Sequence, residues 1–314
     1  MAKNKPYRFL LYLGIEFLRH LVLIFPRRLN YAIATGLGVS FYWLLPKERA
    51  KIARHLEEAF RKERKQGEYY QIGKRVFINL TKSAIDILCF PKLNRKRIDD
   101  LVRLEEGTGK LDQALARGKG AIVLTGHLGN WELLASYFRF LGYPGCLIGR
   151  RIYYEPFNQV LVKLRKSALV TTVYRDESPR KVLAELKANH VVGMSADQDI
   201  DSLEGVFVPF LGKPAWTPTG PAKVALASGA AIVPAFMIHE GDRYRLLIED
   251  PIWPMEHESR EEAVKLMTET WSRVVERYVE RYPDQWVWMH NRWKTKTESI
   301  TKLKDAAHLE KVSS

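Results

Sequence analysis

The stretch "GKGAIVLTGHLGNWELLASYFRFLG", residues 118–142, combines a strand, a turn and a helix. Its β-branched, apolar run ends at Thr125 and is typical of a short buried strand. The segment that follows predicts a helix closed by Gly142. Asn130 is suited to cap this helix, which would place Glu132 in the first helical turn. The stretch therefore predicts one strand–helix unit of a sheet that is covered by helices.

Strands and helices continue to alternate along residues 95–295. Further strands are predicted at "GYPGCLIG", "LVTTVY", "HVVGMSA", "AAIVPAFMIH" and "RYRLLIED". Further helices are predicted at "EPFNQVLVKLRKSA", "SPRKVLAELKAN", "TPTGPAKVALASG" and "SREEAVKLMTETWSRVVERYVERYP". In the second of these, Ser178 is the expected cap and Pro179 the first helical residue. This alternation predicts an α/β domain with a largely parallel sheet flanked by helices.

A helical lead-in, residues 47–94, is predicted in front of this domain. Ile52, Leu56 and Phe60 are spaced four apart, which favours an amphipathic helix. A second helix is expected to continue to Pro91. At the other end of the chain, residues 296–314 form a polar tail that we expect to fray.

Residues 1–46 are apolar but not free of charge. In "YRFLLYLGIEFLRHLVLIF", the polar side chains fall within about a third of the helix circumference: Arg8, Glu16, Arg19 and His20. This pattern favours a helix that lies in a membrane interface. A spanning helix usually has about 20 residues with few charges, so a single span through residues 7–25 is the less favoured alternative. A third alternative is that these segments are amphipathic helices packed on the protein's own core. A secretory signal is disfavoured because no small-residue cleavage site follows the apolar stretch.

The composition is basic and poor in cysteine. Fifty Lys and Arg residues oppose 36 Asp and Glu residues, which gives a net charge of +14. Such a charge attracts polyanions, namely nucleic acid, anionic lipid or an acidic protein, and its sign does not choose among them. Cys89 and Cys146 have no CxxC spacing and are expected to be buried free thiols.

His127 lies two residues beyond the strand end, where α/β sheets bind their ligands. Glu132 could accept a hydrogen bond from one imidazole nitrogen while the other takes a proton from a hydroxyl. The helix N-terminus could stabilise an oxyanion. A histidine that merely caps a turn is the alternative, and the spacing alone does not separate the two. HExxH and GxSxG motifs are absent from the sequence, which disfavours a zinc protease and a serine hydrolase.

Charged and polar side chains follow two other predicted strands: Asp197, Gln198 and Asp199 after "HVVGM", and Arg150 and Arg151 after "CLIG". Carboxylates at a strand end have no packing purpose, and the arginines could bind a phosphate or a polarised carbonyl oxygen. Trp131 and His290 are interpreted as packing residues.

Three blocks of sequence together resemble a known family. They are "TGHLGNWE", then "DQD" with "GVFVPFLGKPAWTPTGPAKVALASGAAIVP" behind it, then "YPDQWVWMHNRWK". In this order, over roughly residues 5–298, they are similar to the bacterial late acyltransferases of lipid A biosynthesis. These are the lauroyl/myristoyl-type enzymes of the lysophospholipid acyltransferase superfamily.

The resemblance implies a glycerol-phosphate-acyltransferase-like fold. It also implies transfer of an acyl chain from acyl carrier protein to a hydroxyl of a lipid A precursor, with no metal and no cofactor. His127 would be the general base and Glu132 would orient it. The residues expected around the substrate or the oxyanion are Arg151, Arg150, Asn130, Asp197, Gln198 and Asp199. The implied location is the cytoplasmic face of the bacterial inner membrane.

Two other functions stay open at this stage. One is an acyltransferase for another glycolipid or lysophospholipid, of the phosphatidylinositol mannoside type, that uses acyl-CoA. The other is a non-catalytic basic protein that binds anionic membranes. Nucleic acid is not an expected partner because no DNA- or RNA-binding motif is present. A phosphorylated acceptor and an acidic carrier would both account for the net charge of +14.

Overall fold

The elements of the fold follow the predicted alternation. The computed structural model describes residues 6–60, 65–105, 107–177, 179–255 and 257–296. The helices are α1 (Pro6–Ile24), α2 (Arg27–Leu44), α3 (Pro46–Ala59), α4 (Gln66–Leu88), α5 (Arg95–Leu101), α6 (Gly109–Leu115), α7 (Trp131–Phe140), α8 (Glu155–Ser167), α9 (Pro179–Lys187), α10 (Gly220–Ser228) and α11 (Arg260–Arg281). The strands are β1 (Val102–Leu104), β2 (Ala121–Thr125), β3 (Gly145–Gly149), β4 (Thr171–Tyr174), β5 (Val191–Ser195), β6 (Gly205–Phe210), β7 (Lys213–Pro218), β8 (Ala231–Glu240) and β9 (Arg243–Ile248).

The main sheet confirms the predicted α/β class. Among the described residues it has seven strands in the order β1-β9-β8-β2-β5-β3-β4. Its strand pairs are parallel except for β8 and β9, which form an antiparallel hairpin. All five residues of β2 are buried, as expected for a central strand between two helical layers. Thr125 pairs with Ser195, so β2 and β5 end side by side.

A second, two-stranded sheet was not predicted. β6 and β7 form an antiparallel hairpin whose turn residues, Leu211 and Gly212, have φ of 48° and 70°. Positive φ at two successive turn residues matches the right-handed twist of the strands. Because β7 continues to Pro218, the helix predicted from Thr217 begins later, at Gly220.

The N-terminal helices pack on one another and on the sheet domain. Gly38 of α2 approaches α4 so closely that an added Cβ would lie 2.6 Å from the Cα of Ile78. On α1, Val22 is buried whereas Phe17 is 68% exposed. No helix among the described residues reaches the length and hydropathy needed to cross a bilayer.

Several smaller predictions can be placed on the structure. α9 begins at Pro179 as predicted, whereas its expected cap Ser178 and the tail from residue 297 lie outside the described residues. Both cysteines are free; Cys146 is buried and Cys89 is half-buried.

Candidate active site

The turn between β2 and α7 carries His127. The main-chain N–H of His127 donates to Asp197 Oδ2 (2.7 Å), and its carbonyl accepts from Val287 N–H (3.1 Å). Gly129 has φ of 63°, and an added Cβ would lie 2.0 Å from the carbonyl oxygen of Met237. Only glycine fits this position, which lets the turn pass close to β8.

The imidazole of His127 is paired with Asp197. The two side chains meet through Nδ1 and Oδ1 at 2.6 Å, and Asp197 is 1% exposed. Trp286 Nε1 donates to the other carboxylate oxygen at 2.8 Å. A proton held on Nδ1 by the carboxylate leaves Nε2 as the nitrogen that can accept a proton from a substrate.

The two groups shift each other's pKa. Burial alone would lower the pKa of His127, but the charge and hydrogen bond of Asp197, with the charge of Glu132, outweigh it, and the pKa is raised. Burial alone would raise the pKa of Asp197; His127 and Trp286 outweigh it and lower that pKa to about 2. Asp197 is thus a carboxylate near neutral pH and stabilises the imidazolium that proton uptake creates.

The expected hydrogen bond between His127 and Glu132 is not the one that forms. Glu132 is buried, and its two oxygens accept from Arg165 Nε (2.7 Å) and Nη2 (2.6 Å). This two-bond geometry satisfies both carboxylate oxygens, while Asp197 on the adjacent strand end occupies Nδ1 of the imidazole. Glu132 therefore acts on His127 through its charge rather than by direct contact.

Arg165 was missed by the sequence analysis. It lies on α8, is 7% exposed, and donates through Nη1 to Thr172 Oγ1 (3.3 Å). A Cβ added to Gly149 would lie 3.0 Å from the same Nη1, so the guanidinium sits against the end of β3. In the sequence, "KLRKSA" resembles the solvated basic face of a helix, and no local signal distinguishes Arg165.

The segment after α11 supplies further site residues. Asp199 accepts from the main-chain N–H (2.8 Å) and Oγ1 (2.6 Å) of Thr295. Its own N–H donates to Nε2 of His290 at 2.9 Å. Burial lowers the pKa of His290, which agrees with a neutral ring that accepts this hydrogen bond. His290, interpreted from sequence as a packing residue, thus orders the loop that carries Asp197.

The remaining predicted residues are placed as follows. Asn130 caps α7 as predicted: Oδ1 accepts from Leu133 N–H (3.0 Å), and Nδ2 donates to Tyr244 Oη (3.1 Å). Its amide is 1% exposed and is used within the fold. Gln198 is half-buried between Asp197 and Asp199. Arg150 and Arg151 are exposed after β3, with the Arg151 guanidinium 4.0 Å from the ring centroid of Tyr174.

A small apolar cavity of about 30 Å³ lies between α7 and the sheet, beside this site. Its walls include Trp131, Leu134, Phe138, Leu147 and Met194. The Trp131 ring contacts that of His127 edge-on, with 5.0 Å between centroids. The apolar lining of this cavity therefore begins next to the imidazole of His127. Among the described residues, no group of three or more His, Cys, Asp or Glu side chains could hold a metal ion.

A histidine that is hydrogen-bonded to a buried carboxylate at the strand ends fits the class of acyltransferases. The chain belongs to the bacterial lipid A biosynthesis acyltransferase family, whose profile matches residues 2–295. The resemblance expected from the three sequence blocks is therefore confirmed.

Individual relatives differ in how much of the chain they cover. A phosphatidylinositol mannoside acyltransferase of Mycobacterium tuberculosis is 32% identical over 161 residues, which is 50% of this chain and 51% of the relative. The chain thus spans about half the length of this relative. The lipid A biosynthesis lauroyltransferase of Escherichia coli K12 is 26% identical over 309 residues, 94% of each chain.

Among solved structures, the 1-acyl-sn-glycerophosphate acyltransferase from Thermotoga maritima matches 82% of this chain and 98% of its own. Its identity is 17% and its TM-score 0.37, values too low to carry weight for the fold.

Proposed function

We propose that this chain transfers a fatty acyl group from a thioester donor to a hydroxyl of a glycolipid, with His127 as general base. The observation that carries the proposal is the 2.6 Å contact between His127 Nδ1 and the buried carboxylate of Asp197. This contact leaves Nε2 free to take the hydroxyl proton and stabilises the resulting imidazolium. In this proposal Asp197 takes the place that the sequence-based pairing gave to Glu132 as the direct partner of His127.

The reaction runs in two steps on the atoms of this site. The hydroxyl oxygen attacks the thioester carbonyl as its proton moves to Nε2 of His127. The tetrahedral intermediate then collapses, the carbon–sulfur bond breaks, and the thiolate leaves with the proton from the imidazolium. Arg151 or Arg150, or N–H groups at the start of α7, stabilise the oxyanion in this proposal.

A lipid A precursor is the acceptor we favour, and acyl carrier protein the donor. The 94% coverage shared with the Escherichia coli lauroyltransferase supports this choice. The site is proposed to work at the cytoplasmic face of an inner membrane. The exposed apolar side chains of α1 support attachment there: Phe9, Leu10, Leu13, Phe17 and Ile24.

A phosphatidylinositol mannoside acceptor with acyl-CoA is the second candidate. The mycobacterial relative favours this candidate, because its sequence identity to the chain is higher, at 32%, although it is matched over only 50% of the chain. Purified protein in vesicles can be offered both acceptors with both donors, and the products identified by mass spectrometry. The acceptor that gains an acyl chain selects between the two candidates.

The general base is tested by His127→Ala. General acid–base catalysis contributes roughly 10²- to 10⁴-fold, and we expect acyl transfer to fall by at least about 10²-fold. His257→Ala, at an exposed histidine, is the matched control and should leave the rate unchanged. Full activity of His127→Ala with either donor would refute the proposed role.

A further inference from the structure

An open cleft of about 520 Å³ lies away from the apolar cavity, and the proposed mechanism does not use it. It is bounded by α3, by the β6–β7 hairpin and by residues 291–296. Four cations from these three parts of the chain line it: Arg54, Lys213, Lys294 and Lys296. We call it the cationic cleft.

The carboxylates near the cationic cleft do not neutralise it. Glu58 is the one carboxylate among its described lining residues, and two cations share it. Lys213 Nζ lies 3.0 Å from Glu58 Oε2, and Arg54 Nε lies 3.9 Å from Oε1. Lys294 pairs with Asp201 outside the cleft. Four cations against two carboxylates leave an excess of positive charge, which attracts an anion.

Buried residues form part of the wall of the cationic cleft, whereas Lys294 and Lys296 are exposed and Lys213 is half-buried. Trp293 is 8% exposed and its indole N–H donates to the carbonyl of Phe210 at 3.3 Å. His55 Nδ1 is hydrogen-bonded to the carbonyl of Trp288 at 2.7 Å. Burial lowers the pKa of His55, so this ring adds no charge near neutral pH. Lysine and arginine side chains around such a wall suit an anion with several oxygens.

The cationic cleft adjoins the loop of the candidate active site. Thr295 lines the cleft, and the same residue holds both oxygens of Asp199. Asp199 is two residues from Asp197, the partner of His127. Only Thr295 would therefore separate a ligand in the cleft from the loop that carries Asp199 and Asp197.

We infer that the cationic cleft binds a phosphate group of one of the two substrates. The inference rests on the proposed function, in which both substrates carry phosphates. Lysine and arginine donate charge-assisted hydrogen bonds to phosphate oxygens, which are stronger than neutral ones. The phosphate comes either from the donor, as phosphopantetheine or coenzyme A, or from the head group of the glycolipid acceptor.

Isothermal titration with inorganic pyrophosphate tests the cleft without any need for catalysis. The double variant Lys213→Gln/Lys296→Gln should weaken binding by at least about tenfold, since the loss of a single charged hydrogen bond is already of that order. Glu58→Gln removes the competing carboxylate and should tighten binding, a gain that misfolding cannot produce. Lys187→Gln, at an exposed lysine of α9, is the control and should bind like the wild type.

Two arms identify the source of the phosphate. Coenzyme A represents the donor, and glycerophosphoinositol and glucosamine 1-phosphate represent the acceptor. If the double variant binds coenzyme A more weakly, the KM for the donor should rise. If it binds the head-group phosphates more weakly, the KM for the acceptor should rise. The inference is overturned if the wild type does not bind pyrophosphate, or if the wild type and the three variants bind it equally. It is also overturned if the double variant leaves the KM values of both substrates unchanged. Full activity of His127→Ala would refute the proposed base, while pyrophosphate binding that is weakened in the double variant would leave the cleft standing, so the two proposals fail separately.

Discussion

At the scale of single residues, Asp197 determines the properties of the candidate base. Because a neutral imidazole accepts the proton, kcat/KM should rise with pH through the pKa of His127. The carboxylate holds that pKa above its ordinary value of 6.5. Asp197→Asn removes the charge and leaves the burial, which lowers the pKa. We expect the acidic limb of the kcat/KM profile to move to lower pH, with a lower plateau because the imidazolium loses its partner.

The pH profile needs a control that makes the same Asp→Asn change away from the candidate active site. Asp176→Asn, at an exposed aspartate, should leave the acidic limb where it is. Circular dichroism should confirm that both variants are folded before rates are compared. An acidic limb at the same pH in Asp197→Asn and the wild type would contradict the assignment of His127 as the titrating base.

The buried pair of Glu132 and Arg165 gives a second prediction at this scale. Removal of one partner leaves an uncompensated buried charge, which costs about 3–5 kcal/mol. Glu132→Gln and Arg165→Gln should each lower the free energy of unfolding by an amount of this order. The double variant should lose less than the sum of the two single changes, as chemical denaturation can measure. A Glu132→Gln protein that is fully stable but inactive would instead assign Glu132 a direct role in catalysis.

At the scale of elements, Asp86 of α4 links the N-terminal helices to the candidate active site. Its Oδ2 accepts from Tyr31 Oη of α2 (2.5 Å), Tyr244 Oη of β9 (2.6 Å) and Arg27 Nη2 of α2 (3.0 Å). Tyr244 Oη in turn accepts from Asn130, the cap of α7. One buried carboxylate thus connects α2, α4 and β9 with the turn that carries His127.

This link predicts a loss of stability on Asp86→Ala. The change leaves two buried hydroxyls and a guanidinium without their common acceptor, and we expect a loss of about 3 kcal/mol in the free energy of unfolding. Asp100→Ala, at an exposed aspartate of α5, should stay within about 0.5 kcal/mol of the wild type. Equal stability of the two variants, measured in urea, would contradict a structural role for Asp86.

The elements also explain what the sequence could and could not predict. Strands such as β2 and β8 are continuous apolar runs, and their burial on both faces makes them recognisable. The β6–β7 hairpin contains Pro209 and Pro214, and prolines within a sequence run argue against a strand, so these two strands were not predicted. The partner of His127 was not predictable from spacing, because Asp197 reaches the imidazole only when β5 lies beside β2. Strand order is a property of the whole sheet and leaves no local signal.

At the scale of the whole molecule, α1 presents apolar side chains on two different sides. Ile15, Leu18 and Val22 pack on the core of the domain. Phe9, Leu13 and Phe17, spaced four apart, form an exposed row on another side of the helix. Arg8 of the same helix lies 5.6 Å from the ring centroid of Tyr153, in the turn that follows β3. An apolar row therefore lies near the exposed arginines at the edge of the candidate site.

We predict that this row is the surface through which the proposed attachment to a bilayer occurs. Burial of one large apolar side chain contributes roughly 1.5–3 kcal/mol, so Leu13→Glu/Phe17→Glu should lower partitioning into vesicles of anionic phospholipid by more than about tenfold. High salt should weaken wild-type binding only in part, because it screens the basic surface but leaves the apolar contact. Leu266→Glu, at an exposed leucine of α11, is the matched control and should sediment with vesicles like the wild type. Equal sedimentation of the double variant and the wild type would show that the exposed row of α1 is not the surface that contacts the membrane.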